Sequence, residues 1–150
     1  MREVQIQSGQ QALLATFFVR DALCGLNASG VQEVIRLSAI TEAPHAPPYV
    51  AGIVNLRGRI VTVVDAGMKL GYGRTTPGPS TRVFIVEDHD EFLGLLVDRV
   101  GEVLEVESGA EEPMPANLRP AQARYFKGVN RAGGRVFALL DSGEMLAAGA

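Results

Sequence analysis

The sequence predicts a mainly β protein made of two small antiparallel barrels, and three observations support this. Its 150 residues include seventeen valines and six isoleucines, whose β-branched side chains fit a pleated sheet better than a helix. The valines fall in short runs interrupted by glycine, proline, asparagine and aspartate, as in proteins built from hairpins. The order of these runs also repeats between the two halves of the chain. Closed barrels would remove the exposed edges of such hairpins.

Ten strands are predicted, and the helical segments between them are short. The strands cover 12–19, 24–27, 31–37, 53–54, 59–65, 82–87, 91–97, 100–107, 128–130 and 135–140. Helical turns are predicted at 66–70, around 120–125 and at 142–148, with Asp65 and Asp141 as N-caps of the first and last. Segment 71–80 is rich in glycine and proline and is predicted to be an exposed connector.

The internal repeat divides the chain into two similar halves. Three motifs of the first half recur in the second, namely Gly25-Leu26 as Gly94-Leu95, Val31/Glu33/Val34 as Val100/Glu102/Val103, and Gly58-Arg59-Ile60 as Gly134-Arg135-Val136. The first two recur 69 positions later and the third 76 positions later. We therefore expect one domain over 1–150, with lobe 1 at about 12–71 and lobe 2 at about 81–146, packed through an apolar seam with grooves between them.

Composition argues against several partners and compartments. The net charge is −3, aromatic residues make up 6% of the chain and tryptophan is absent, which argues against nucleic acid. Cys24 is the only cysteine and cannot form an internal disulfide, as expected in a reducing compartment. The chain has neither a signal-like start nor an apolar run of about 18 residues. We expect a cytoplasmic protein with no direct membrane insertion.

The residues do not suggest an enzyme. The two histidines, His45 and His89, lie in turn-forming segments without metal-ligand spacing, and no phosphate-binding glycine motif is present. We predict no catalytic residue, no metal site and no cofactor. A hydrolase that uses carboxylates such as Asp65 or Asp98 is an alternative, although Asp141 at the repeat position of Asp65 favours helix capping.

The segment Asn55-Leu56-Arg57-Gly58 stands out as a tight turn that carries a cation. Asparagine and glycine supply the left-handed conformations that such a turn needs, whereas Leu56 and Arg57 have no evident local role. The corresponding tip of the second half, 131–134, has a different sequence. The segment is therefore either a solvated hairpin tip or a binding feature.

Three of these segments together resemble the CheW family, the coupling proteins of bacterial chemotaxis. They are Val31-Gln32-Glu33-Val34, the turn from Gly52 to Gly58 with the strand after it, and Gly94-Leu95-Leu96-Val97-Asp98 with Val100 and Val103. The similarity runs from about Leu14 to about Leu146. It implies two five-stranded SH3-like barrels and a function without catalysis. Its implied partners are the cytoplasmic tips of chemoreceptors and the regulatory domain of a CheA-type histidine kinase, held in a membrane-associated array.

The resemblance also implies a set of partner-binding residues. Glu33 and Arg57 match an acid and base pair of the family, which we expect to orient the turn rather than to stabilise the fold. The remaining positions implied on lobe 1 are Val31, Gly52, Asn55, Leu56 and Gly58, and those on lobe 2 are Val100, Val103 and Gly128. The three valines are equally compatible with an ordinary buried core.

Two alternatives to flagellar chemotaxis remain from the sequence. The proline-rich segment 111–116 departs from the family pattern and is compatible with an adaptor of a motility or pilus-type chemosensory pathway. A double-barrel nucleic-acid binder is a second alternative, against which charge and aromatic content argue.

Overall fold

Ten strands and two short α-helices form in the described part of the computed structural model, which comprises residues 11–37, 40–107, 112–113, 123–132 and 134–147. In chain order the elements are β1 (Gln11–Val19), β2 (Ala22–Asn27), β3 (Val31–Arg36), β4 (Val50–Leu56), β5 (Arg59–Asp65), α1 (Ala66–Lys69), β6 (Arg82–Asp88), β7 (Glu91–Val97), β8 (Arg99–Glu107), β9 (Phe126–Ala132), β10 (Arg135–Leu140) and α2 (Ser142–Ala147). All ten predicted strands are confirmed, with β4 and β9 longer than predicted. The turn predicted around 120–125 lies largely outside the described residues.

The strands form two five-stranded sheets, as predicted. Sheet I has the order β3-β6-β7-β5-β4, and sheet II has the order β8-β1-β2-β10-β9. Most strand pairs are antiparallel, as predicted, but β5 pairs with β7 and β2 pairs with β10 in parallel. The end strands β8 and β9 of sheet II also contact each other. Both sheets are therefore mixed, with one parallel pair each.

The sheets do not follow the predicted lobe boundaries at 12–71 and 81–146. The hairpin β1–β2 belongs to sheet II with β8, β9 and β10, and the hairpin β6–β7 belongs to sheet I with β3, β4 and β5. Asp98 is the single residue between β7 and β8, whereas a hairpin loop usually needs at least two residues. β8 therefore cannot fold back on β7 and continues into the other sheet. Each sequence repeat thus exchanges its first hairpin with the other.

The repeat found in the sequence is also present in the ladders. Thr41 forms an isolated bridge with Ile53 beside β4, with both N–H···O distances at 2.7 Å. Glu112 forms the corresponding bridge with Val129 beside β9, at 2.8 Å in both directions. Since Val129 follows Ile53 by 76 positions, the second half reproduces this detail of the first.

The apolar core has three parts, and the largest joins the sheets. The junction core contains side chains from both sheets and both helices, including Phe17 of β1 and Phe84 of β6, whose ring centroids are 5.2 Å apart. Separate clusters fill sheet I and sheet II. Cys24 lies in the junction core as a free thiol, as predicted, and burial raises its pKa to about 12. An apolar seam is therefore present, and it joins the two sheets.

Asp65 caps α1 and also anchors the connector that follows it. Its Oδ1 accepts hydrogen bonds from the Gly67 N–H at 2.9 Å and the Thr75 hydroxyl at 2.6 Å, and its Oδ2 accepts from the Thr75 N–H at 2.9 Å. Segment 71–80 is mostly exposed, as predicted, but Thr75 is buried. The connector is therefore pinned to the sheet at that residue. The carboxylate has a structural explanation, which weakens the hydrolase hypothesis.

Replacing Asp65 with alanine should lower the free energy of unfolding by about 2 kcal/mol, because a helix cap and two charge-assisted bonds to Thr75 are lost. Urea unfolding monitored by circular dichroism measures this change. The matched control is Asp141→Ala, because Asp141 caps α2 through one bond to the Glu144 N–H at 3.1 Å. That variant should lose about 1 kcal/mol. Equal losses in the two variants would show that the bonds to Thr75 add nothing.

Candidate partner-binding surface

The β4–β5 turn has a conformation that the sequence did not fully predict. Leu56 and Arg59 pair as the last residues of the ladder, so Arg57 and Gly58 form a two-residue loop. Their φ angles are +51° and +86°, as in type I′ hairpin turns. Asn55 was expected to supply a left-handed residue, but it lies in β4 and its Oδ1 accepts the Gly58 N–H at 2.9 Å. Arginine therefore occupies a conformation that usually favours glycine or asparagine.

The arginine at this turn forms an ion pair with the neighbouring edge strand. Arg57 Nη2 lies 2.8 Å from Glu33 Oε1, and the two side chains are 77% and 29% exposed. The structure therefore brings together the acid and base predicted from the sequence. An exposed pair contributes about 0 to 1 kcal/mol to stability. Its main structural effect is to fix the direction of the turn relative to β3.

A shallow depression of about 460 Å³ lies beside this ion pair. Leu56 and Phe92 contribute apolar surface, and the Arg59 guanidinium lies 4.1 Å from the centroid of the Phe92 ring. Arg57 and Glu33 line it as well. This combination of apolar side chains and arginines is typical of protein interfaces. We call it the turn surface.

The predicted valines differ in accessibility. Val31 is half-buried and packs against the junction core, whereas Val100 and Val103 on β8 are 42% and 61% exposed. Leu13 on the adjacent strand β1 is 53% exposed and is not among the predicted partner-binding residues. The exposure of Val100 and Val103 excludes the interpretation of these two residues as ordinary core. They make β8 an apolar edge of sheet II.

The two glycines predicted at partner-binding positions lie below the surface. Gly52 and Gly128 are both buried, with φ of +158°. Each lies near the start of an edge strand, where the pairing with the neighbouring strand shifts register. Because neither glycine is accessible, an effect of these positions on a partner can only be indirect, through the shape of β4 and β9.

A second acid and base pair, which the sequence analysis missed, lies on sheet II. Arg135 Nη2 is 3.7 Å from Glu102 Oε1, and the side chains are 47% and 75% exposed. Glu102 repeats Glu33, and Arg135 repeats Arg59 rather than Arg57. The repeat predicts an acid at Glu102, but the arginine that pairs with it lies two residues after the position equivalent to Arg57. Both sheets therefore have an acid on one edge strand paired to an arginine of the second hairpin.

A cation also bridges the two halves at the junction. Lys69 Nζ in α1 lies 3.8 Å from the centroid of the Tyr49 ring and 5.5 Å from that of Tyr125. Burial, and then the nearby Arg124 charge, lower the pKa of Lys69. Tyr49 and Tyr125 are repeat equivalents and precede β4 and β9. This contact therefore joins the residue before β4 of sheet I to the residue before β9 of sheet II.

The described residues contain no cluster of three or more histidine, cysteine, aspartate or glutamate side chains able to hold a metal ion. His45 and His89 are both exposed in turns. Among the helices in the described part of the chain, none is long and apolar enough to span a membrane.

The exposed β8 edge and the turn surface are two separate exposed surfaces on a double-lobed β protein. The CheW-like domain model matches residues 14–149. A protein named chemotaxis protein CheW from Rhizobium meliloti is 30% identical over 136 residues, covering 91% of this chain and 87% of that protein. Protein FrzA of Myxococcus xanthus is 27% identical, covering 89% of this chain and 82% of FrzA.

A solved structure is similar over the same length. The crystal structure of the scaffolding protein TtCheW from Thermoanaerobacter tengcongensis matches with a TM-score of 0.80 and 28% identity, covering 88% of this chain and 90% of that one. The chain belongs to the CheW-like family. It is a scaffold or adaptor protein of the chemotaxis class, as the sequence resemblance implied.

Proposed function

We propose that this protein couples the cytoplasmic tips of chemoreceptors to the regulatory domain of a CheA-type histidine kinase. It acts without catalysis, at the cytoplasmic face of a membrane-associated receptor array. Family membership and the similarity to a solved scaffolding protein support this role. Two separate exposed surfaces, one on each sheet, are what an adaptor between two partners requires.

The turn surface is the proposed kinase contact, and the conformation of Arg57 is the observation that carries this assignment. Arginine at φ +51° costs conformational energy that glycine would avoid. Such unfavourable conformations are concentrated at functional sites. The 77% exposure of Arg57 leaves its guanidinium free to reach a partner while Glu33 orients it.

The apolar edge formed by β8 is the proposed receptor contact. Val100 and Val103 point outward on this strand, and Glu102 and Glu105 are exposed beside them. An amphipathic helix of a receptor tip would pack its apolar side chains on such an edge. If both contacts distinguish the kinase states, receptor movement changes the active population.

A second version of this proposal places the adaptor in a motility or pilus-type pathway. The proline-rich segment 111–116 supports it as a departure from the family pattern. Binding to receptor fragments from each pathway of the same organism distinguishes the two versions.

Arg57→Gly should weaken binding to the kinase regulatory domain about tenfold, the effect of losing one oriented charged contact at an interface. Glycine fits the observed φ, so the free energy of unfolding should change by less than about 0.5 kcal/mol. Isothermal titration calorimetry measures the affinity, and urea unfolding measures the stability.

The matched control is Arg131→Ala, because Arg131 lies at the corresponding hairpin of sheet II and pairs with Glu112 at 3.1 Å. Its kinase affinity should equal that of the wild type. A large loss of stability in Arg57→Gly with unchanged affinity would assign Arg57 to the fold instead of the kinase contact.

A further inference from the structure

An apolar pocket of about 280 Å³ lies where strands of sheet I meet α2. Three of the residues that line it are buried members of the junction core, namely Val64 of β5, Leu93 of β7 and Met145 of α2. Two other lining residues, Pro47 and Thr62, are exposed. The pocket therefore extends from the protein surface to side chains of the junction core.

The other half of the repeat has larger side chains at two equivalent positions of this pocket. Val50, which also lines it, pairs directly with Val64. The equivalents of these valines 76 positions later, Phe126 and Leu140, pair directly in the same way. Directly opposite residues of an antiparallel ladder share a face. The fold thus accommodates a phenylalanine and a leucine where sheet I has two valines, so the space in sheet I is not required by the architecture.

The pocket is continuous with the turn surface, because the Phe92 side chain lines both. Cations lie on the rings of its two aromatic residues. The Arg59 guanidinium is 4.1 Å from the centroid of the Phe92 ring, and Lys69 Nζ is 3.8 Å from that of Tyr49. The eight described residues that line the pocket include no charged side chain. An occupant with an acidic group beside an apolar side chain is complementary to this arrangement.

We propose that this pocket, called the anchor pocket, receives one large apolar side chain of the kinase regulatory domain, with an acidic residue next to it. This inference rests on the proposed kinase contact at the turn surface. Interfaces concentrate their binding energy in a few anchor side chains that fill such pockets. Small-molecule sites usually have about 300 to 1,000 Å³, so a pocket of about 280 Å³ suits a single side chain better.

Val50→Phe gives the anchor pocket the residue that sheet II has at the equivalent position. The phenyl ring should fill the pocket and weaken binding to the kinase regulatory domain about 30-fold, the effect of losing one anchor side chain. Thr62→Phe fills the pocket from an exposed position of β5 and should give a similar loss, so the test holds even if Val50→Phe does not fold. Thr62→Val is the matched control and should bind as the wild type does. Isothermal titration calorimetry measures all four affinities.

Lys69→Met tests the acidic neighbour of the anchor side chain. Methionine is the residue at the repeat position of Lys69, 76 residues later. Loss of the charge should weaken binding to the kinase regulatory domain about threefold. Unchanged affinity in Lys69→Met would overturn this part of the proposal.

Methionine methyl resonances report the contact directly in the full-length protein. Met145 lines the anchor pocket, whereas Met68 of α1 does not. When the kinase regulatory domain is added, the Met145 methyl resonance should shift more than that of Met68. A Met145 resonance that does not move in the complex would overturn the proposal.

These measurements separate the anchor pocket from the proposed function. Wild-type affinity in both Val50→Phe and Thr62→Phe, together with weaker binding by Arg57→Gly, would overturn the anchor pocket and leave the kinase contact at the turn surface in place. A wild-type protein that does not bind the kinase regulatory domain would overturn both.

Discussion

Gly52→Ala is expected to lower the free energy of unfolding by about 3 kcal/mol, in the range of substitutions that force a backbone clash. A Cβ atom at Gly52 would collide with the carbonyl oxygen of Thr41 and lie 2.6 Å from Ile40 Cγ2. The carbonyl cannot rotate away, because Thr41 forms two bridge hydrogen bonds with Ile53. The φ of +158° adds strain for any side chain. The substitution therefore displaces the segment that closes the edge of sheet I.

Urea unfolding of Gly52→Ala against Gly78→Ala tests this account. A Cβ atom at Gly78 would meet no atom of the described residues within 4 Å, and the φ of Gly78 lies outside the left-handed region. Alanine there should therefore change stability by less than about 0.5 kcal/mol. Kinase affinity measured on folded Gly52→Ala should decrease only if β4 shifts. The structural role of Gly52 would be contradicted if the two variants unfolded at the same urea concentration and only Gly52→Ala bound the kinase more weakly.

Local features of the fold were predictable because they depend on nearby residues. Short apolar runs, most of them containing valine, indicated the ten strands, and Asp65 and Asp141 preceded short helices that they do cap. The repeat predicted equivalent positions, such as Val34 and Val103, that the structure places on corresponding edge strands β3 and β8. These features need only side-chain shape, capping chemistry and periodicity.

The pairing of strands was not predictable in the same way. Sequential hairpins suggested sequential lobes, whereas the structure exchanges β1–β2 and β6–β7 between sheets. The one-residue link at Asp98 was the only local signal, and the predicted strand boundaries included a two-residue gap there. The sheet to which a strand belongs depends on contacts between distant parts of the chain, and composition and periodicity do not predict such contacts.

The candidate site was predicted in part. The pairing of Glu33 with Arg57 followed from the family resemblance, and the structure has it at 2.8 Å. Burial of Gly52 and exposure of Val103 could not be inferred, because a strand residue's accessibility depends on what covers each face. The pair Glu102–Arg135 was not predicted. Its arginine lies at the repeat equivalent of Arg59, whereas the arginine of the predicted pair is Arg57.

Val103→Glu is expected to weaken binding to a receptor cytoplasmic fragment about 100-fold, the size of a hot-spot loss at the centre of an interface. Val103 is 61% exposed, so the free energy of unfolding should change by less than about 0.5 kcal/mol. A carboxylate there would be covered by the apolar side of a receptor helix without a partner. Exposed Glu102 and Glu105 on the same strand would add like-charge repulsion.

The matched control is Val34→Glu, since Val34 repeats Val103 on β3 and is 43% exposed. Calorimetric titration of both variants with one receptor fragment separates general surface charge from a specific contact. Because the two valines hold equivalent positions on edge strands, an equal loss in both would mean that the fragment does not distinguish the sheets. Unchanged affinity in Val103→Glu would move the receptor away from β8. A loss confined to Val103→Glu makes the two edges of the repeat functionally different, so that a symmetric fold serves two unlike partners.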